Sequence, residues 1–262
     1  MAGIIGLAKS QAETGAAYID VNVGSRSPGF MADVVKKIQQ HISIPLSIDT
    51  PDPEIAAAGL EVYNPVRAGN RKPILNSISQ ARLEMFELYA KQPFIPVLLV
   101  VEEVDQNGVA KMNKTAEETH ASAKAMVNIA RERIKKVTND QIILDPGIMP
   151  IGTDSEGSFK RVIDAVKLIH QDADLKGVNM SVGLSNFTVM LPSKRADGSP
   201  VKGALESAFL TMAMPMGFNI IIGSVKRNYS LLPDNHPAMQ CLKDVLKLDG
   251  FDVIMRVKDF YS

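Results

Sequence analysis

Short apolar runs, each closed by a polar residue and turn formers, recur along this chain and restrict it to a repeated strand-and-helix architecture. The clearest is QIILDPGIMP, Gln141 to Pro150, where the run stops at Asp145 and is followed at once by Pro146 and Gly147. YIDVNVG stops near Asn22, IPLSIDTP at Asp49, KPILNSIS at Asn76 and MSVGLSN at Asn186; with FIPVLLVV (94–101) and NIIIGSV (219–225) the runs number seven. Each is rich in β-branched residues or Leu and too short for a core helix, so each reads as a buried strand. Amphipathic stretches separate them, which is the alternation of an α/β fold.

Met31, Val34, Val35 and Ile38 repeat at helical spacing, as do Phe159, Val162, Ile163, Val166 and Ile169, and both sets predict helices covering the strands. Further helices are expected over 4–14, 54–62 after Pro51 and Pro53, 80–89, 116–136, 205–216 and 242–248. The NG turn in EEVDQNGVAKMNK predicts a short hairpin. LPSKRADGSPVKG (191–203) reads as a long polar loop able to act as a lid, with Lys194, Arg195 and Lys202 in it.

At 262 residues and 45% hydrophobic content, the chain can supply the core of one barrel-sized domain, and residues 1–262 are read as that domain. A (β/α)8 TIM barrel needs a strand ahead of the first helix, and only Met1 to Gly3 precede Ile4. A first strand preceding Met1 in the full protein is therefore expected. Lys plus Arg equals Asp plus Glu at 29 each, giving no broad footprint for nucleic acid. One cysteine, Cys241, excludes an internal disulfide framework and offers no metal or redox pair; it reads as a small buried side chain. No run approaches the roughly 18 apolar residues of a membrane span, and the N-terminus lacks signal-peptide order. A cytoplasmic protein is expected.

In a parallel barrel the strand ends share one mouth, so Asn22, Asp49, Asn76, Asp145 and Asn186 would converge there. Structural explanations compete for each: Asp49 as a helix N-cap, Asp145 as a turn former, Asn76 as a partner for backbone groups. Their conjunction at successive strand ends favours function. Carboxylates and carboxamides without a His or Cys cluster suit a neutral heterocycle with amino and ring N–H donors better than a metal. A pterin, with its 2-amino-4-oxo edge, has that chemistry.

DVNVG (20–24), SIDT (47–50), LNS (75–77), LDPGIMP (144–150), GLSN (183–186) and FLTMAMPMG (209–217), in this order, resemble the pterin-binding methyltransferases that act between methyltetrahydrofolate and corrinoid proteins. The likeness runs from near Ala16 to the C-terminus. It implies a TIM barrel, usually homodimeric, with tetrahydrofolate or 5-methyltetrahydrofolate as substrate and cobalamin carried by a separate corrinoid protein. By position it makes Asp49, Asn76 and Asp145 holders of the pterin ring and Asn186 the group hydrogen-bonding near N5. Gly183 and Ser185 fall at backbone-approach positions and Ile222 at an apolar wall, while Arg195 or Lys202 would stand where the family has an arginine over the pterin. Direction of transfer stays open. Dihydropteroate synthase shares the SIDT and DPG features, but GLSN lacks the Ser-Arg-Lys pattern expected there, and Asn186 sits where a synthase would have lysine. A folate-binding subunit without catalysis is the remaining alternative.

Overall fold

A computed structural model describes residues 1–262. The elements run α1 (Ala2–Glu13), β1 (Ile19–Asn22), α2 (Pro28–Gln39), β2 (Leu46–Asp49), α3 (Pro53–Val62), β3 (Ile74–Ile78), β4 (Ile95–Leu99), β5 (Glu102–Val104), β6 (Ala110–Met112), α4 (Ala116–Arg133), β7 (Ile143–Asp145), α5 (Ser158–Gln171), β8 (Asn179–Met180), α6 (Leu184–Phe187), α7 (Lys202–Ala213), α8 (Pro237–Val245) and α9 (Phe251–Tyr261). This is an α/β protein whose strand-then-helix order is that of a TIM-barrel-like fold. No helix is long and apolar enough to cross a membrane.

The chain divides into two compact units, one of Met1–Lys111 with Ala125–Leu144, the other of Met112–Lys124 with Asp145–Ser262. In the first unit β1, β2, β3 and β4 pair in parallel and in chain order. Ile19 and Val21 of β1 are buried while Asp20 and Asn22 are exposed, the period-2 alternation of a strand with one covered face. In β2 the side chain of Ile48 meets α3 where the helix carries Gly59. A Cβ on Gly59 would lie 3.0 Å from Met31 and 3.2 Å from Ile48, so a larger residue here would press these two side chains aside.

Helix α2 buries Met31, Val34, Val35 and Ile38, the stripe its spacing predicts, each such side chain contributing roughly 1.5–3 kcal/mol. Ser27 caps it, accepting from the Phe30 N–H, and Pro28 follows where no N–H is needed. Asp52 caps α3 through the N–H groups of Glu54 and Ile55. The expected helix over 80–89 is instead a run of 3-10 turns, Gln80–Ala90, broken at Arg82 and without a side-chain cap at Ser79. β5 and β6 form the expected hairpin, its turn held by Asp105 Oδ1 accepting from Asn107 and Val109.

In the second unit α5 buries Phe159, Val162, Ile163, Val166 and Ile169 as its spacing predicts. Phe159, Phe187, Phe209 and Phe218 cluster with ring centroids 5.4–6.2 Å apart, tying α5, α6 and α7 together. Cys241 is buried in α8, where burial pushes its thiol up to about 11. Two expected strands differ. MSVGLSN is strand only to Met180; the chain then turns at Gly183 into the single helical turn α6, so Asn186 stands on that turn and not at a strand end. NIIIGSV forms no strand: the Asn219 and Ile220 N–H groups both point at the Met180 carbonyl, and a single parallel bridge, Gly183 with Ile222, follows. Two donors sharing one acceptor do not propagate a ladder.

Candidate functional site

In the first unit the parallel register aligns Asn22 with Asp49 and Asp49 with Asn76, and places Asp20 opposite Ser47. Asp20 and Asn22 are two apart on β1, Ser47 and Asp49 two apart on β2, so the five polar side chains share one face of three adjacent strands. The Asn22 amide donates to Asp49 Oδ2 at 2.9 Å, and its oxygen accepts from the Gly24 N–H at 2.8 Å. Asn22 thereby aims the Asp49 carboxylate and also closes the turn after β1. Because Asp52 caps α3, Asp49 is not that helix's cap, and the competing structural explanation falls away. The Asn76 backbone carbonyl accepts from the Thr50 N–H at 2.8 Å.

Asp20 was not among the residues singled out by sequence, yet it is the unusual acid of this row. Burial and then the neighbouring Asp49 carboxylate push its pKa up to about 7, while Ser47 and Asn76 pull it down. The residue is nonetheless exposed, as a carboxyl is when protein surrounds it without covering it. It can hold a proton near neutrality. The signal was present in IDVN, whose alternation puts Asp20 on the same face as Asn22.

In the second unit Asp145 is buried, and its Oδ1 accepts from the Gly147 N–H at 2.7 Å, so it also makes the turn that Pro146 and Gly147 announce. That turn is locked by Arg161 of α5, which donates to the carbonyls of Pro146 at 2.9 Å and Gly147 at 2.8 Å and to Thr119 Oγ1 at 3.0 Å. Burial lowers the Arg161 pKa, and Asp154 and Asp145 oppose it. No sequence signal marked Arg161 as anything but one more polar residue of an amphipathic helix. Beside it lies a depression of about 290 Å³ lined by Met112, Asn113, Lys114, Met149, Asp154 and Arg161 among others, with the exposed Lys114–Glu156 pair at 2.7 Å.

Asn186 is exposed on α6 beside exposed Ser185. Its amide nitrogen lies where Gly183 has no side chain: a Cβ there would approach it to 2.9 Å. The Leu184 N–H donates to the Ile222 carbonyl at 2.9 Å, bringing Gly183 and half-buried Ile222 alongside each other. Below, Phe187 enters the aromatic cluster, and buried Thr188 donates through its hydroxyl to Glu206 of α7. Lys202 donates to the Val189 carbonyl at 3.1 Å and so ties the start of α7 to the chain just after α6. The Arg195 guanidinium instead stacks over the Phe260 ring at 4.9 Å, and its backbone N–H closes a small turn with the Ser199 carbonyl. The two candidate cations are thus differently engaged, and only Lys202 bonds the segment that follows Asn186.

A family model described as pterin binding enzyme matches residues 1–223. The chain belongs to the pterin-binding enzyme family. A protein named methylcorrinoid:tetrahydrofolate methyltransferase, of Eubacterium limosum, is 28% identical over 227 residues, an alignment covering 80% of this chain and 71% of that protein. The family assignment accords with the resemblance carried by the SIDT, LNS, LDPG and GLSN segments, and it makes the chain a pterin-binding enzyme.

Proposed function

We propose that this pterin-binding enzyme moves a methyl group between N5 of tetrahydrofolate and the cobalt of a corrinoid carried by a separate protein. The observation that carries the reading is the Asn22–Asp49–Asn76 row, in which an Asn amide directs a carboxylate and a second carboxamide stands next to it in register. A carboxylate beside carboxamides accepts and returns the hydrogen bonds of a 2-amino-4-oxo pyrimidine edge. In this reading Asp49, Asn76 and Asp145 hold the ring, and Ile222 with the bare backbone at Gly183 flanks it. Ser185 lies beside Asn186, whose amide meets N5. For the covering cation the reading favours Lys202, which bonds the segment following Asn186, over Arg195, which is stacked on Phe260.

The name of the Eubacterium limosum relative favours transfer from methylcorrinoid to tetrahydrofolate. In that direction the N5 lone pair attacks the methyl carbon, the electron pair of the cobalt–carbon bond stays on cobalt as cobalt(I), and N5 releases its proton. In the opposite direction cobalt(I) takes the methyl group, and N5, a poor leaving group as an amine anion, must gain a proton. An Asn amide has no proton to release at neutral pH, so Asn186 orients and stabilises N5 by hydrogen bonding while water carries the proton. Fixing the ring makes the transfer effectively unimolecular once the corrinoid docks.

Single-turnover absorbance tests this with tetrahydrofolate and methylcobalamin, and with methyltetrahydrofolate and cob(I)alamin. Interconversion of the two cobalamin spectra in step with folate methylation is the expected result. Tight folate binding with no turnover in either direction, with a corrinoid protein supplied, would make the chain a folate-binding subunit.

A further inference from the structure

Glu206 is the one fully buried carboxylate of α7, on a helix that otherwise buries Leu205, Ser207, Ala208, Phe209 and Leu210. One of its oxygens receives the Thr188 hydroxyl, two residues beyond Asn186 on the same turn of chain. Its other oxygen lies 3.2 Å from Arg227 Nε, close in distance though not aligned as a hydrogen bond. The same helix receives the Ser230 N–H on Ser207 Oγ at 3.3 Å and the Leu232 N–H on Thr211 Oγ1 at 3.0 Å. Tyr229 in turn accepts from the Ser224 N–H at 3.2 Å, and its hydroxyl would lie 2.5 Å from a Cβ on Gly223. Helix α7 therefore gathers two loops: Glu206 holds the one bearing Asn186, while Ser207 and Thr211 hold the one following Ile222, whose Arg227 also lies close to Glu206.

Stability alone is a poor reason to keep such a group, since apolar residues of similar volume commonly replace buried ion pairs without loss. What a buried carboxylate supplies that Leu does not is direction. Phe187 in the aromatic cluster fixes how deep the Asn186 turn sits, while the Thr188 hydroxyl fixes how the turn is rotated. Resting on the methyl-transfer reading above, we infer that Glu206 is a positioning residue for Asn186, acting through Thr188.

The test uses Thr188→Val, which keeps the side-chain volume and removes the hydroxyl, and Thr188→Ser, which restores it. Thr188→Val is expected to slow single-turnover methyl transfer about tenfold, the scale of one lost hydrogen bond to a charged group, with folate Kd within about twofold of wild type. Thr188→Ser is expected to recover the rate. In an Asn186→Ala background Thr188→Val should cost nothing further, because the group it positions is gone. A rate loss that adds to that of Asn186→Ala, or that Ser fails to rescue, or that comes with a matching loss of folate affinity, overturns the inference. If the wild-type protein transfers no methyl group, the enzymatic reading fails separately, and NMR of the Asn186 side-chain amide still decides the matter. Its signal should broaden or shift in Thr188→Val and return in Thr188→Ser; an unchanged signal overturns the positioning role.

Discussion

The polar row on β1, β2 and β3 and the Asn186 turn are built by different means. In the row, parallel register alone sets Asn22, Asp49 and Asn76 side by side, and backbone hydrogen bonding of three strands holds them. Asn186 sits on a four-residue helix that no ladder supports, and its place comes from Phe187, from Thr188 on Glu206, and from the Leu184 bond to Ile222. Strand-borne groups suit a task that needs constant geometry, such as gripping a planar ring. A turn held by side chains suits a group that must adjust as charge at the reacting atom changes. On the proposed methyl-transfer reading, ring binding falls to a strand-held row and reaction to a turn held by side chains.

The sharpest way to break that contrast is Asn186→Ala, expected to slow methyl transfer by about 10²–10³-fold with folate affinity retained, since on the proposed reading it removes the group that orients N5 by hydrogen bonding. A fall in affinity instead of rate, measured by folate titration, would make Asn186 one more ring holder. Next in size is Arg161→Met, which leaves the Pro146 and Gly147 carbonyls without their partner and should lower unfolding free energy by about 3 kcal/mol in urea melts. A loss near zero would mean that the Asp145 turn is held mainly by its own Asx bond. Asp49→Asn should weaken folate binding roughly tenfold to a hundredfold by removing the charged acceptor, with the rate at saturating folate little changed.

The smallest effect, because Asp20 is exposed and solvent screens its interactions, is the pH dependence this residue confers. Its folded pKa of about 7 lies above the ordinary 3.8, so the folded state binds the proton more tightly. Between those values the unfolded chain ionises first, and stability falls as pH rises; below them the contribution is fully retained and the slope is nil. Asp20→Asn should flatten that slope in melting temperatures taken from about pH 4 to about pH 8. An unchanged slope would mean that Asp20 titrates as an ordinary surface acid and that the row lacks its near-neutral member.

Helices α2 and α5 were legible because burial of their apolar stripes follows from 3.6-residue spacing and from nothing further away. β1 to β4 were legible for the same reason, as short apolar runs bounded by turn formers. The second unit was harder. Seven apolar residues in MSVGLSN and NIIIGSV carry strand propensity, but a strand exists only where a partner ladder extends, and there backbone donors converge on Met180 instead. Asp20 was overlooked because an exposed Asp in a strand is ordinary until its neighbours across the ladder are known. Thr188, Glu206 and Arg161 carried no local mark at all.

By itself the sequence determined the α/β alternation, the strand ends bearing Asn22, Asp49 and Asp145, and the motif order that places the chain among pterin-binding enzymes, because each depends on residues near one another in the chain; Asn76, expected at a strand end, lies instead in the middle of β3, which runs on to Ile78. Only tertiary structure decided that Asn22 aims Asp49, that Arg161 locks the turn after Asp145, that Asn186 rides a helical turn, and that Glu206 reaches Thr188. Those contacts join residues 14 to 42 positions apart. Hydrogen bonds and ion pairs at such separations depend on where two elements are carried by packing, and a linear pattern does not contain that distance.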